Sequence, residues 1–342
     1  MYSRNTIPNP ASALTDFSVM IDLAHMGADW WTANGTEADG TKGRAAKDDG
    51  TELATDWIDF DHAAETGWVR VKWSGTLATS GTQTIRVYPP VAGNSANAAS
   101  ATYGSDNAYD ASVYAYLPLF NLTDRTSNSN DGTGGGSITA GGATGKVGDA
   151  TNFDGTDDKI SITKLQTADA ISASVWVNFD TISGTAIAAG SDAERYLLYV
   201  DGTNVYSRAA GGIAINGAHG GISTGTWYHL AMTRDASDNI AVFFNGSSVA
   251  TGSNGSNFTV DTLGTFSDTD ALNLDGKMNE MIIHTAGRHA DWIKYEYDQT
   301  NDNATFLGTW EVVAASSAIG STNLLKSTLL SSTLLSSPLI RS

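Results

Sequence analysis

Short segments in which apolar residues alternate with polar ones recur along this chain, each closed by Gly, Asn, Asp or Ser. Period-two patterning of this kind is satisfied by a sheet with one face turned to a core. FSVMIDL sets Phe17, Val19, Ile21 and Leu23 on one face. WVRVKW (68–73) and TIRVYPP (84–90) read as further strands. So do KISIT (159–163), ISASVWVNF (171–179), YLLYVDG (196–202), WYHLAMTRD (227–235), IAVFFNGSSVA (240–250) and KMNEMIIHTA (277–286). The acids agree: the 342 residues include 30 Asp and 7 Glu. Asp prefers turns and caps, whereas Glu supports helices. An all-β chain follows.

The strands fall into two β-sandwich domains and a tail. Residues 1–112 form a small sandwich that ends in the small-residue stretch AGNSANAASATYGSDNAYDASV (92–113). Residues 113–303 carry seven or more strands with regular turns, which suits a sandwich rather than alternating strands and helices. One short helix is expected over Asp291–Gln299, with Trp292, Ile293 and Tyr297 sealing an end of that sandwich. Residues 304–342 read as an extended tail. Its apolar pairs, Leu324-Leu325, Leu329-Leu330, Leu334-Leu335 and Leu339-Ile340, recur every five residues, a period that fits neither a helix seam nor a strand face. No acid follows Glu311, while Lys326 and Arg341 are basic. The spacing predicts a docking segment for other proteins or for copies of this chain. A disordered terminus is the plainer alternative.

A net charge of −18 argues against nucleic-acid binding, which needs clustered cations. With no Cys, the chain has no disulfides, thiolate zinc sites or Cys nucleophiles. The opening MYSRNTIPNPASALTDF lacks the apolar core of a secretion signal, and no run is long enough to span a bilayer. The expectation is a protein without membrane insertion, folded in a cytoplasm.

Four ordered motifs carry a resemblance. GDATNFDGTDDKISI (148–162), SASVWVNF (172–179), GTWYHLAMTRDASDNIAVFFNGSSVA (225–250) and LDGKMNEMIIH (274–284) resemble the laminin-G-like, concanavalin A-like jelly rolls. The closing strand departs from that pattern, with Asn279 where the family has Asp and Met281-Ile282-Ile283-His284 in place of a more polar ending. The first block, with DGTELATDWIDFD (49–61), resembles a small sandwich family of unassigned function that precedes such jelly rolls in bacterial surface proteins and bacteriophage structural proteins. DWIKYEYDQTNDNATFLGTWE (291–311) resembles the usual ending of that pairing. The resemblance implies a non-enzymatic virion protein, in the tail or decorating the capsid, that displays a carbohydrate-binding module to host cell-surface glycans. The alternative is a bacterial extracellular protein that binds or cleaves glycans.

The residues themselves speak against cleavage. Glycosidases need two opposed carboxylates, which a jelly-roll strand would show as acids two residues apart, and none of the seven Glu forms an E-x-D-x-E cluster. Asp59 and Asp61 have that spacing but lie beside a loop of the first block, and His229 reads as half-buried in its strand. Asp154, Asp157 and Asp158 share one Gly-containing turn, an arrangement that suits calcium or a hairpin organised by Asx bonds. Asp192, Asp201, Asp268, Asp270 and Asp275 are further acidic candidates. For sugar, ring faces are the signal. Trp30 and Trp31 are adjacent, so in a strand they point to opposite faces, which exposes one ring to a sugar unless both anchor a domain interface.

Overall fold

The computed structural model describes residues 1–269 and 271–314. The tail leucines from Leu324 to Ile340, and Asp270, lie outside the described residues. What is described is dominated by antiparallel strands in two sandwiches. The first pairs a five-stranded sheet with a three-stranded one. The five-stranded sheet runs in the order Glu311–Val313, Tyr2–Ile7, Gln83–Tyr88, Arg44–Lys47, Glu52–Leu53. The three-stranded sheet is ordered Ser18–Asp22, Thr66–Lys72, Thr55–Asp61.

The second sandwich stacks an eight-stranded sheet on a seven-stranded sheet. At the middle of the larger sheet, Ile171–Phe179 lies between Asp275–His284 and Trp227–Arg234. The smaller sheet continues from Thr185–Ala189 through Tyr196–Val200 and Asn204–Arg208 to the edge strand Ile215–Ala218. Between the sheets, Val175, Val177, Phe179, Leu198, Leu230 and Phe258 pack into one buried core.

The predicted alternation in Ser18–Asp22 holds on one face: Phe17, Val19, Ile21 and Leu23 enter the first core. The other face is not left to water. Met20 is buried with Ile58, Tyr109, Tyr116 and Ile282 where the second sandwich closes over it. The same second layer explains Met281-Ile282-Ile283 in the closing strand. Met281 and Ile283 face the jelly-roll core, and Ile282 faces the first sandwich.

Helix α1 spans Ala28–Asn34, α2 Ala290–Asn301 and α3 Asn303–Leu307. The helix expected at 291–299 is present, but its place corrects the expectation: it is wedged between the sandwiches. Trp292, Ile293 and Tyr295 join the first core, where Phe17 meets Trp292 edge-on at 4.7 Å. Ser174 Oγ donates to Glu296 at 3.0 Å and Trp176 Nε1 to Thr300 at 2.9 Å, so α2 also covers the outer face of Ile171–Phe179. Side-chain amides finish the edge of Ser18–Asp22: Met20 N donates to Gln299 Oε1 at 2.9 Å and Asp22 N to Asn303 Oδ1 at 3.0 Å. An edge strand covered in this way has no free ladder to offer another chain.

Residues 304–314 depart from an extended tail. They complete α3 and supply Glu311–Val313, which pairs with Tyr2–Arg4. Leu307 and Trp310 are buried in the first core, and burial of such large side chains holds the segment to the body. Among the described residues, no helix is long and apolar enough to cross a membrane.

Candidate functional site

The strand–turn–strand stretch YLLYVDGTNVYSR folds as a hairpin. Its turn is built by Asp201, whose Oδ1 accepts from Thr203 N and Asn204 N, each at 2.8 Å. Alternation then sorts the two strands. Val200 and Val205 enter the jelly-roll core, while Tyr196, Tyr199 and Tyr206 collect on the outer face of the seven-stranded sheet with Phe266. Tyr199 stands directly across from Tyr206, and Tyr206 across from Asn216 on the edge strand. The ring centroids are 4.9 Å apart for Tyr196 and Tyr199, stacked, and 5.3 Å for Tyr199 and Tyr206, edge-on.

This ladder is open at one end. Tyr196 is buried, Tyr199 and Tyr206 are half-buried, and Asn216 is exposed. A Cβ at Gly184 would lie 2.2 Å from Tyr199 Oη, so only glycine lets that ring lie over the neighbouring loop. Polar groups border the rings. Tyr206 Oη donates to Asp201 Oδ2 at 2.5 Å, and Asn204 Nδ2 donates to Tyr206 Oη at 3.2 Å. Burial would raise the Asp201 carboxyl, but donors from Tyr206, Thr203 and Asn204 hold it down at about 2. The bond to Asp201, together with some burial, raises the Tyr206 phenol. The Tyr199 phenol is also raised, by burial and by Asp201. At neutral pH the ladder therefore presents neutral phenols beside one fixed carboxylate. Among the described residues, Tyr199 Oη and the Asn216 amide make no hydrogen bond, so both can serve a ligand.

The tryptophan expectation is corrected. Trp30 and Trp31 lie in α1, not in a strand, and are 0% and 2% exposed. Trp30 Nε1 donates to Val87 O at 3.1 Å, and Trp31 stacks on Phe60 at 5.6 Å. Neither ring is available to a sugar, because both fill the first core. His229 is likewise buried rather than half-buried, because α2 covers its face of the sheet and Tyr297 packs 5.9 Å from its ring. Asp61 accepts from Ala63 N and Ala64 N and so organises a turn.

Asp154, Asp157 and Asp158 do converge, with carboxylate oxygens within 4.8 Å of one another. Asp158 is buried and already committed: Ser137 N donates to Oδ1 at 2.8 Å and Asp154 N to Oδ2 at 3.0 Å. Asp154 Oδ1 accepts from Thr156 N at 2.8 Å. Calcium takes roughly six to eight oxygens. The free oxygens of Asp154 and Asp157 would need carbonyl or water partners to complete such a shell, whereas the turn is satisfied as it stands. The other acids are dispersed: Asp268 Oδ1 accepts from Asp192 N, and Asp275 Oδ2 from Thr181 Oγ1.

Residues 154–294, which contain both this turn and the tyrosine ladder, match the concanavalin A-like lectin/glucanases superfamily. The second sandwich is a concanavalin A-like domain. No curated protein matches the chain. Among solved structures, domain 4 of AbnA, a GH43 extracellular arabinanase from Geobacillus stearothermophilus in complex with arabinotriose, is 22% identical, with 53% of this chain and 96% of that chain covered and a TM-score of 0.41. The binding domain of Paraclostridial Mosquitocidal Protein 1 is 11% identical, with 58% and 55% covered and a TM-score of 0.43. A botulinum neurotoxin type C structure, whose cell entry depends on two ganglioside molecules, is 12% identical, with 55% and 51% covered and a TM-score of 0.42. This chain spans about half the length of the two toxin chains.

In the concanavalin A-like domain the departure at Asn279 has a physical reason. Its Nδ2 donates to Pro118 O at 2.7 Å, Asp149 O at 3.0 Å and Val147 O at 3.2 Å, while Oδ1 accepts from Lys146 N and Val147 N at 2.8 Å each. A carboxylate cannot donate to those three carbonyls. The ladder itself escaped the sequence reading, although two tyrosines flanking an Asp-Gly turn at mirror positions are a signal for it.

Proposed function

We propose that the concanavalin A-like domain binds carbohydrate on the Tyr199–Tyr206 ladder, and that the chain acts as a non-enzymatic adhesion module on a bacteriophage particle. One observation carries the binding reading: two half-buried phenol rings, paired across a hairpin, lie beside an ionised Asp201 and an exposed Asn216 whose side-chain amide has no hydrogen-bond partner among the described residues. Ring faces offer apolar area to the C–H faces of a sugar, and the carboxylate and amide accept from and donate to its hydroxyls. A shallow platform of this size binds each glycan weakly, so display in many copies supplies the avidity.

The particle setting rests on the resemblance of the first sandwich and of the segment ending at Glu311. In that setting the tail beyond residue 314 attaches the chain to other virion proteins or to further copies. A bacterial extracellular glycan-binding protein is the second reading, favoured by the same ladder. A glycan array tests the binding. Tyr199→Ala and Tyr206→Ala should each lose about tenfold or more in affinity, in keeping with aromatic anchors at binding sites, while the melting temperature changes little. Unchanged array binding by both variants removes the ladder from the reading. Antibody labelling of purified phage particles separates the two settings.

A further inference from the structure

Pro8, Pro10 and Ala11 line an open groove of about 550 Å³ together with Tyr295 and Phe306. The two rings meet edge-on at 4.8 Å and form an apolar floor. The rim is acidic. Asp291, Asp298 and Asp302 border the groove, and the one cation among them, Lys294, is paired with Asp298. Such a surface suits an apolar segment that carries positive charge and no acid.

The chain contains such a segment. Residues 324–330 read LLKSTLL: two leucine pairs with Lys326 between them, in a stretch that has no acid after Glu311. The chain's course brings it near. Val313 pairs with Tyr2, and the strand Tyr2–Ile7 leads from there to Pro8 at the groove. That path is about 20 Å at the rise of a strand. The ten steps from Ala314 to Leu324 can extend to about 33 Å, so the first leucine pair reaches the groove with slack to spare. A tethered segment also acts at an effective concentration of order millimolar, which favours its own groove over one on another molecule.

We propose that residues 324–330 dock in cis into the groove between residues 8–11 and α2–α3, with the leucine pairs on Tyr295 and Phe306 and Lys326 facing Asp298 and Asp302. The tail is thereby rooted on the body, and the later pairs, Leu334-Leu335 and Leu339-Ile340, are left for the attachment proposed above. The groove carries this inference by itself, so a failure of glycan binding leaves it intact.

Hydrogen–deuterium exchange of the full-length protein tests it. Amides of residues 324–330 should exchange about tenfold or more slowly than an unstructured peptide, equally across a dilution series. Asp298→Lys and Lys326→Glu should each abolish the protection, and the two together should restore it. Replacing Leu324 and Leu325 by Ser should abolish it with the body's sequence unchanged, which covers the case of Asp298→Lys failing to fold. Exchange at unstructured rates in the wild type, or protection that survives these substitutions, overturns the proposal. Protection that fades on dilution overturns docking in cis, because the occupant is then the tail of a second copy.

Discussion

Arg70 and Glu280 join the two sandwiches through a buried ion pair: Arg70 Nη2 donates to Glu280 Oε2 at 2.9 Å, with side chains 5% and 4% exposed. Glu280 sits at φ +58°, where the register between Asp275–His284 and Ile171–Phe179 slips, and this bulge turns its carboxyl toward the first sandwich. Tyr116 donates to the other carboxylate oxygen, and the Arg70 guanidinium lies 4.4 Å from the Tyr116 ring centroid.

Removing one partner leaves the other charge buried without its counterpart. Glu280→Ala should therefore destabilise the protein by about 3–5 kcal/mol, whereas replacing both residues with Met should recover most of that loss. Urea denaturation of the single and double variants checks this, and equal losses in both would mean that the pair is not coupled.

Two buried groups oppose each other in pH dependence. Burial pulls the His229 imidazole down to about 4, so its contribution is complete above about 6.5 and is lost as pH falls toward 4. Burial pushes the Glu280 carboxyl up to about 7 against the pull of Arg70, so its contribution is complete below about 4.5 and is lost as pH rises through 7. From pH 4.5 to 6.5 the two groups therefore act in opposite senses. Relative to the wild type, His229→Leu should gain stability as pH falls across that window, and Glu280→Gln should lose it. Parallel curves for all three proteins would refute the assignment.

Asn279→Asp restores the residue of the resembled family and should still destabilise this chain. Three carbonyls lose their donor and meet a carboxylate instead, at a cost of roughly 3 kcal/mol. A variant as stable as the wild type would mean that the neighbouring strand rearranges freely.

Asp158→Asn turns an amide toward an N–H donor in the 154–158 turn and should cost roughly 1–3 kcal/mol. The loss should be the same in EDTA and in excess calcium, as measured by melting temperature. A loss seen only with calcium would make Asp154, Asp157 and Asp158 a cation site.

Much of the fold was legible in local pattern. FSVMIDL, ISASVWVNF and the closing strand all read as strands, because period-two alternation and Gly or Asp turns are properties of neighbouring residues. The site was less legible. Trp30-Trp31 read as strand because two adjacent rings carry no period, yet Gly27 starts and Gly35 ends a short helix there. The tyrosines were visible as a strand but not as a platform, since which face of a strand meets solvent depends on what the opposite sheet covers.

The sequence by itself determined the all-β class, the two sandwich blocks, the jelly-roll resemblance and the acidic turn at 154–158. All of these are encoded in composition and in contacts a few residues apart. Only the tertiary structure decided that α2 is an interdomain wedge, that Met20, Ile282 and His229 are buried, and that Glu311–Val313 closes the first sheet beside Tyr2–Arg4. Each of these depends on a second layer brought in from a distant part of the chain, whose covering of a face no local period records.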